Sequence, residues 1–116
     1  MSWHDLVECA REKKKQEQEL RRVRLLGAAT RALDKLALKI SFDEAYIFGS
    51  ASKPFGFNAL SDLDIGFFGL KDRDFFEAMA FLSRETGLDN VDIVQLEEHR
   101  LADKILREGI RWKKSD

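Results

Sequence analysis

The sequence predicts an α/β (α+β) domain: a small mixed three-stranded sheet packed with helices and preceded by an amphipathic N-terminal helix. Three observations lead there. The hydrophobic periodicities fall in the order helix, strand, strand, helix, strand, helix. Two of the short apolar runs, Ala45-Tyr46-Ile47-Phe48 and the one closing on Phe68, stop at a glycine, as strands entering turns do. With 116 residues, of which 44% are hydrophobic, the chain can bury one modest core and has no room for a separate substrate domain.

The elements follow in order. Leu20, Val23, Leu26, Leu33, Leu36 and Ile40 recur at three- and four-residue steps with arginines and lysines mostly between them, which predicts an amphipathic helix over 20–40. Residues 11–19 contain no apolar side chain, yet all are fair to good helix formers, so the helix is expected to continue as a solvated rod towards a patch of Trp3, Leu6, Val7 and Ala10. Ala45–Phe48 is a buried strand. Ser50 to Leu60 is a loop that opens with one helical turn, and Asp62–Phe68 is the second strand, ended by Gly69. Phe75, Phe76, Met79, Ala80 and Leu82 mark a helix in which both phenylalanines are core, with Asp72 as N-cap and Gly87 as stop. Val91–Gln95 is the third strand. Leu101, Ala102, Ile105, Leu106 and Ile110 make a final helix ending in Trp112-Lys113-Lys114. The whole of 1–116 reads as one domain, divided into a helical segment, 1–40, and an α/β core, 44–110.

Composition narrows the classes. The formal net charge of −1 covers ten Lys/Arg against six Asp/Glu in residues 1–40, and ten against fifteen in 41–116. Lys13-Lys14-Lys15 could touch nucleic acid. The interspersed Glu12, Glu17 and Glu19 favour a self-compensated helix with pairs such as Glu17 with Arg21, so nucleic acid is not the expected partner. Cys9 is the only cysteine, which excludes an internal disulfide and a thiolate zinc site within one chain. No apolar run approaches the ~18 residues of a membrane span. Met1-Ser2-Trp3-His4-Asp5 lacks the basic start and apolar middle of a secretory signal. A cytoplasmic protein without membrane contact is the expectation.

The chemistry lies in Phe48-Gly49-Ser50, Ser61-Asp62-Leu63-Asp64-Ile65 and Val91-Asp92-Ile93-Val94. Alternation along a strand puts Asp62 and Asp64 on one face while Leu63 and Ile65 enter the core. Paired carboxylates repel until a divalent cation lies between them, and magnesium suits hard oxygen ligands completed by substrate phosphates. Asp92 interrupts an otherwise apolar strand, where a carboxylate is costly unless paired or metal-bound. Beside the second strand it would complete a cluster able to hold two metal ions about 3.5–4 Å apart. Gly49 permits a sharp turn and close approach of a ligand. Ser50 offers a hydroxyl and an N–H to phosphate oxygens, and Lys53 a compact positive charge. His4 and His99 lack ligand spacing.

These residues resemble the nucleotidyltransferase superfamily that includes DNA polymerase β, and in particular its shortest members, the minimal nucleotidyltransferases. Their motif is Gly-Ser, ten to a dozen residues, Asp-x-Asp, and a later Asp on a strand. Here it reads Gly49-Ser50, eleven residues, Asp62-Leu63-Asp64, then Asp92. The resemblance covers about residues 44–110. It implies that Gly49 and Ser50, with Lys53, bind a nucleoside triphosphate, and that Asp62, Asp64 and Asp92 are the catalytic and magnesium-binding carboxylates. Where the family often carries arginine at the first and third positions after the serine, this chain has Ala51 and Lys53.

The resemblance further implies transfer of a nucleoside monophosphate, AMP from ATP, to a hydroxyl of a protein partner. That partner would be a small helical HEPN-type protein, and this chain the antitoxin of a toxin–antitoxin pair. The alternative is a catalytically weak binding module of the same fold that neutralises a helical partner by contact. Homo-oligomerisation stays open, with Trp3 and Trp112 as packing or interface residues.

Overall fold

The computed structural model describes residues 2–58 and 61–113; Leu60 and Lys114, named above in a loop and a helix end, lie outside them. The chain runs α1 (Trp3–Leu36), β1 (Glu44–Phe48), a 3₁₀ turn (Gly49–Ser52), β2 (Leu63–Phe68), a second 3₁₀ turn (Asp72–Asp74), α2 (Phe75–Thr86), β3 (Val91–Gln95), α3 (Ala102–Glu108) and β4 (Ile110–Lys113). The four strands form one mixed sheet in the order β3-β2-β1-β4. β1 is antiparallel to β2 and β4, while β2 and β3 run parallel, joined through α2.

α1 starts with a capping box in which Ser2 Oγ accepts from Asp5 N–H (3.2 Å) and Asp5 Oδ2 accepts from Ser2 N–H (3.3 Å). It is one helix of 34 residues, as the propensities of 11–19 predict, and its buried face is the expected one from Leu26 onward but not at Leu20 and Val23. Leu25, Ala29, Ala32, Leu33 and Leu36 enter the core, whereas Leu20 and Val23 face outward and Ile40 is buried beyond the helix end. Two apolar stripes share this helix, and only one is covered by its own domain. Within the helix Glu19 closes on Arg22 and, near its start, His4 on Glu8.

The core lies between one sheet face and the pair α1 and α2. Ala45, Ile47, Leu63, Ile65, Phe67 and Ile93 from the sheet join Leu33, Leu36, Ala78 and Leu82 from the helices in one cluster. On the opposite face only Tyr46, Leu96 and Ile105 form a small buried group, so α3 covers part of that face and the rest stays open. Gly66 makes this possible: a Cβ there would lie 2.8 Å from Leu96 Cδ2.

The sheet has four strands where three are expected. Gly109 is extended and ends α3, after which Ile110–Lys113 pairs with Glu44–Ile47 instead of prolonging the helix. Trp112 explains the strand. Its ring packs 5.1 Å from that of Phe42, its Nε1–H donates to Asp34 Oδ1 (2.8 Å), and its alternation with Arg111 and Lys113 is that of a half-buried strand. α2 begins at Phe75, and Phe76 is exposed, unlike the core residue expected. Asp72 does not cap it; its Oδ1 accepts from Gln95 Nε2 (2.7 Å). Gly87 is the C-cap, left-handed at φ 74°. Among the described residues no helix is long and apolar enough to cross a membrane.

Candidate active site

Residue alternation along β2 and β3 sets the site. Leu63 and Ile65 point into the core, so Asp64 points to the open face, and the same holds for Asp92 between buried Val91 and Ile93. Phe48, Asp64 and Asp92 occupy one rung across β1, β2 and β3, because Phe48 is the partner of Asp64 and Asp64 of Asp92. The two carboxylates therefore stand on adjacent parallel strands with their backbones about 4.8 Å apart. Asp62 is exposed just ahead of β2.

Asp92 is exposed as well, so it does not bear the burial cost the sequence suggests. Asp64 bears it. Its carboxyl is pushed up to about 6, first by burial and then by the charges of Asp92 and Asp62. No hydrogen bond from a described residue reaches it.

Gly49 closes the other side. It sits at φ 72°, and a Cβ there would come within 2.5 Å of Asp64 Oδ2, so the carboxylate lies directly against the bare α-carbon. The 3₁₀ turn Gly49–Ser52 follows, with Ser52 Oγ donating to Gly49 O (2.7 Å). Ser50 is half-buried at its start and Lys53 is exposed at its end. A hollow of about 120 Å³ beside the turn is lined among others by Phe48, Gly49, Lys53, Lys104, Ile105 and Glu108, bringing a second lysine, and one carboxylate, towards the glycine.

Sequence reasoning misses the back of this turn. Arg22 of α1 is buried and donates from Nη1 to Ala51 O (2.9 Å) and from Nη2 and Nε to Glu19 (2.6 and 3.0 Å). Glu19 Oε2 also accepts from Phe55 N–H (2.6 Å). Hydrogen bonds from Arg22 and Phe55 hold the Glu19 carboxyl below its usual range, and the Glu19 bond raises Arg22. Two points of the loop are thus tied to one turn of α1. The available signal is Arg22 itself, which falls on the buried stripe with Leu25 and Ala29.

The donor set fits a hard divalent cation: carboxylate oxygens only, one of them half-buried without a donor and pressed by like charges. Among the described residues no three His, Cys, Asp or Glu side chains are gathered closely enough to hold a metal by themselves. Substrate oxygens would have to complete the shell, as they do where magnesium accompanies phosphates.

No family model matches the chain, and no curated protein matches it. Solved structures do. A Sulfolobus solfataricus protein assigned as a nucleotidyltransferase is 30% identical, with TM-score 0.53, over 86% of this chain and 87% of its own. This chain belongs to the nucleotidyltransferase superfamily. A structure assigned as a minimal nucleotidyltransferase is 25% identical, with TM-score 0.50, over 84% of this chain and 94% of its own. The mixed α+β architecture is that of these neighbours, and the function is of the nucleotidyl-transfer kind. For a nucleotidyltransferase the departure at Ala51 has a plain structural reason: the side chain is fully buried, so an arginine there has no room, and Arg22 binds the same residue's carbonyl from behind.

Proposed function

We propose that this nucleotidyltransferase is magnesium-dependent and transfers a nucleoside monophosphate, AMP from ATP, to a hydroxyl of a protein partner. The observation that carries the reading is the rung holding Asp64 and Asp92 side by side on the open sheet face, against the Gly49 turn. Asp62, Asp64 and Asp92 would hold magnesium. When bound it would neutralise charge on the phosphate oxygens and on the departing pyrophosphate.

The chain's own groups do the rest. The bare Gly49 backbone lets the triphosphate approach, Ser50 offers its hydroxyl, and Lys53 and Lys104 supply positive charge from the adjoining hollow. Asp92, exposed on the open face, accepts the proton of the acceptor hydroxyl. The hydroxyl oxygen bonds to the α-phosphorus, and the bond to pyrophosphate breaks.

The acceptor brings its own surface, because this scaffold carries no separate acceptor-binding domain. Following the family resemblance, we take it to be a small helical HEPN-type protein, with this chain as its antitoxin in the cytoplasm. Label from α-³²P-ATP should appear on the partner in the presence of magnesium, and Asp62→Asn together with Asp64→Asn should abolish it. Transfer that survives the double substitution sinks the assignment. The burial of Ala51, which removes a cation from the phosphate side, favours a second reading in which the fold neutralises its partner by contact alone. Full neutralisation by the same double variant would select that reading.

A further inference from the structure

The first half of α1 serves neither the core nor the site. Residues 3–17 are exposed apart from half-buried Val7, and they help draw the molecule out to 58 Å against 28 and 26 Å in its other directions. A free helix of this length is marginal in water. Trp3 is 80% exposed and Leu6 51%.

The outward residues have a pattern. Trp3, Leu6, Ala10, Lys13, Glu17 and Leu20 alternate steps of three and four, the spacing of a coiled-coil seam. Arg24 and Gly27 continue it. The seam runs down the side of α1 away from Leu25, Ala29 and Leu36, which face the core, so a second helix laid along it meets the domain only at Phe55 of the loop.

We propose that the seam pairs two copies of this chain antiparallel through α1. The charges choose both occupant and direction. A parallel pair in register would set Lys13 on Lys13 and Glu17 on Glu17. An antiparallel pair with its two-fold axis at Lys15 sets Lys13 of each copy on Glu17 of the other.

The same register matches sizes along the rest of the seam. Ala10 meets Leu20, Leu6 meets the aliphatic stem of Arg24, and Trp3 meets Gly27, beside which the Arg31 guanidinium lies within reach of stacking on the indole. Beside the seam, Val23 (52% exposed) and Phe55 (66% exposed) border a groove of about 280 Å³ with Leu20 and Gln16. In this register Val23 lies across from Cys9 of the second copy, and the groove receives that copy's first turns.

The test is sedimentation velocity of the full chain at micromolar concentration, with Lys13→Glu and Glu17→Lys as single variants. The wild type sediments as a dimer, and each variant alone dimerises at least about tenfold more weakly. An equimolar mixture of the two variants recovers the wild-type dimer, because one copy then carries acidic side chains at both seam positions and the other basic ones at both. A monomeric wild type overturns the proposal and gives the seam to a different helical protein. A dimer indifferent to the single changes, or variants that fail to rescue one another, overturns it equally. The outcome is independent of whether any nucleotide is transferred.

Discussion

Replacing the half-buried Asp64 by asparagine should remove the transferase activity and yet stabilise the metal-free protein. Burial, then the charges of Asp92 and Asp62, push the folded-state carboxyl up to about 6 from its ordinary 3.8. Between those values the folded form binds more protons than the unfolded form, so stability is full below about pH 4, falls as the pH rises to about 6, and is level above. About two units correspond to about 3 kcal/mol as a ceiling. The carboxyl still touches solvent, which screens the repulsion, and about 1–2 kcal/mol is the working figure.

In EDTA at pH 8 the Asp64→Asn protein should therefore melt about 4–8 °C above wild type, taking about 4 °C per kcal/mol for a chain of this size. At pH 4 the two should melt together. Added magnesium should raise the wild-type melting temperature and leave the variant's unchanged. A variant less stable than wild type at pH 8 without metal, or a gain of equal size at pH 4, would refute the argument that the carboxylate cluster is under electrostatic strain.

Gly49→Ala places a side chain at φ 72° and drives it onto Asp64 Oδ2. It should cost about 1–3 kcal/mol in urea unfolding and most of the activity. Arg22→Ala breaks the charged bond to Ala51 O, worth about 1.5–3 kcal/mol, and frees the loop; KM for the triphosphate should rise more than kcat falls, and equal changes in both would exclude a positioning role. Trp112→Phe keeps the ring against Phe42 but loses the bond to Asp34. About 1 kcal/mol of stability should go in a urea melt, with activity retained.

The strands and the glycine turn are legible because two-residue alternation and a glycine stop leave few alternatives over five or six residues. The same alternation places Asp64 and Asp92 on one face, and only their shared rung had to come from the structure. The long helix is less legible. Its sequence carries two apolar stripes, and periodicity alone does not say which one its own domain covers; Leu20 and Val23 read as core for that reason. β4 hides because Ile110 continues the four-residue spacing of Ala102 and Leu106, while Gly109 and the alternation around Trp112 are short signals against it. The tie from Arg22 and Glu19 to the turn joins residues 29 and 36 positions apart, a distance local patterns do not reach.

Because Asp64 and Asp92 share a rung, the spacing of their Cα atoms belongs to the backbone pairing, and repacking elsewhere leaves it unchanged. A slip of β3 by one residue would bring Ile93 or Val91 to that face and turn Asp92 inward. The site can thus be lost in a single step but hardly detuned by degrees. Asp62, ahead of the ladder, is under no such constraint. Drift in this protein should first be visible there, with the carboxylates at 64 and 92 kept or lost together.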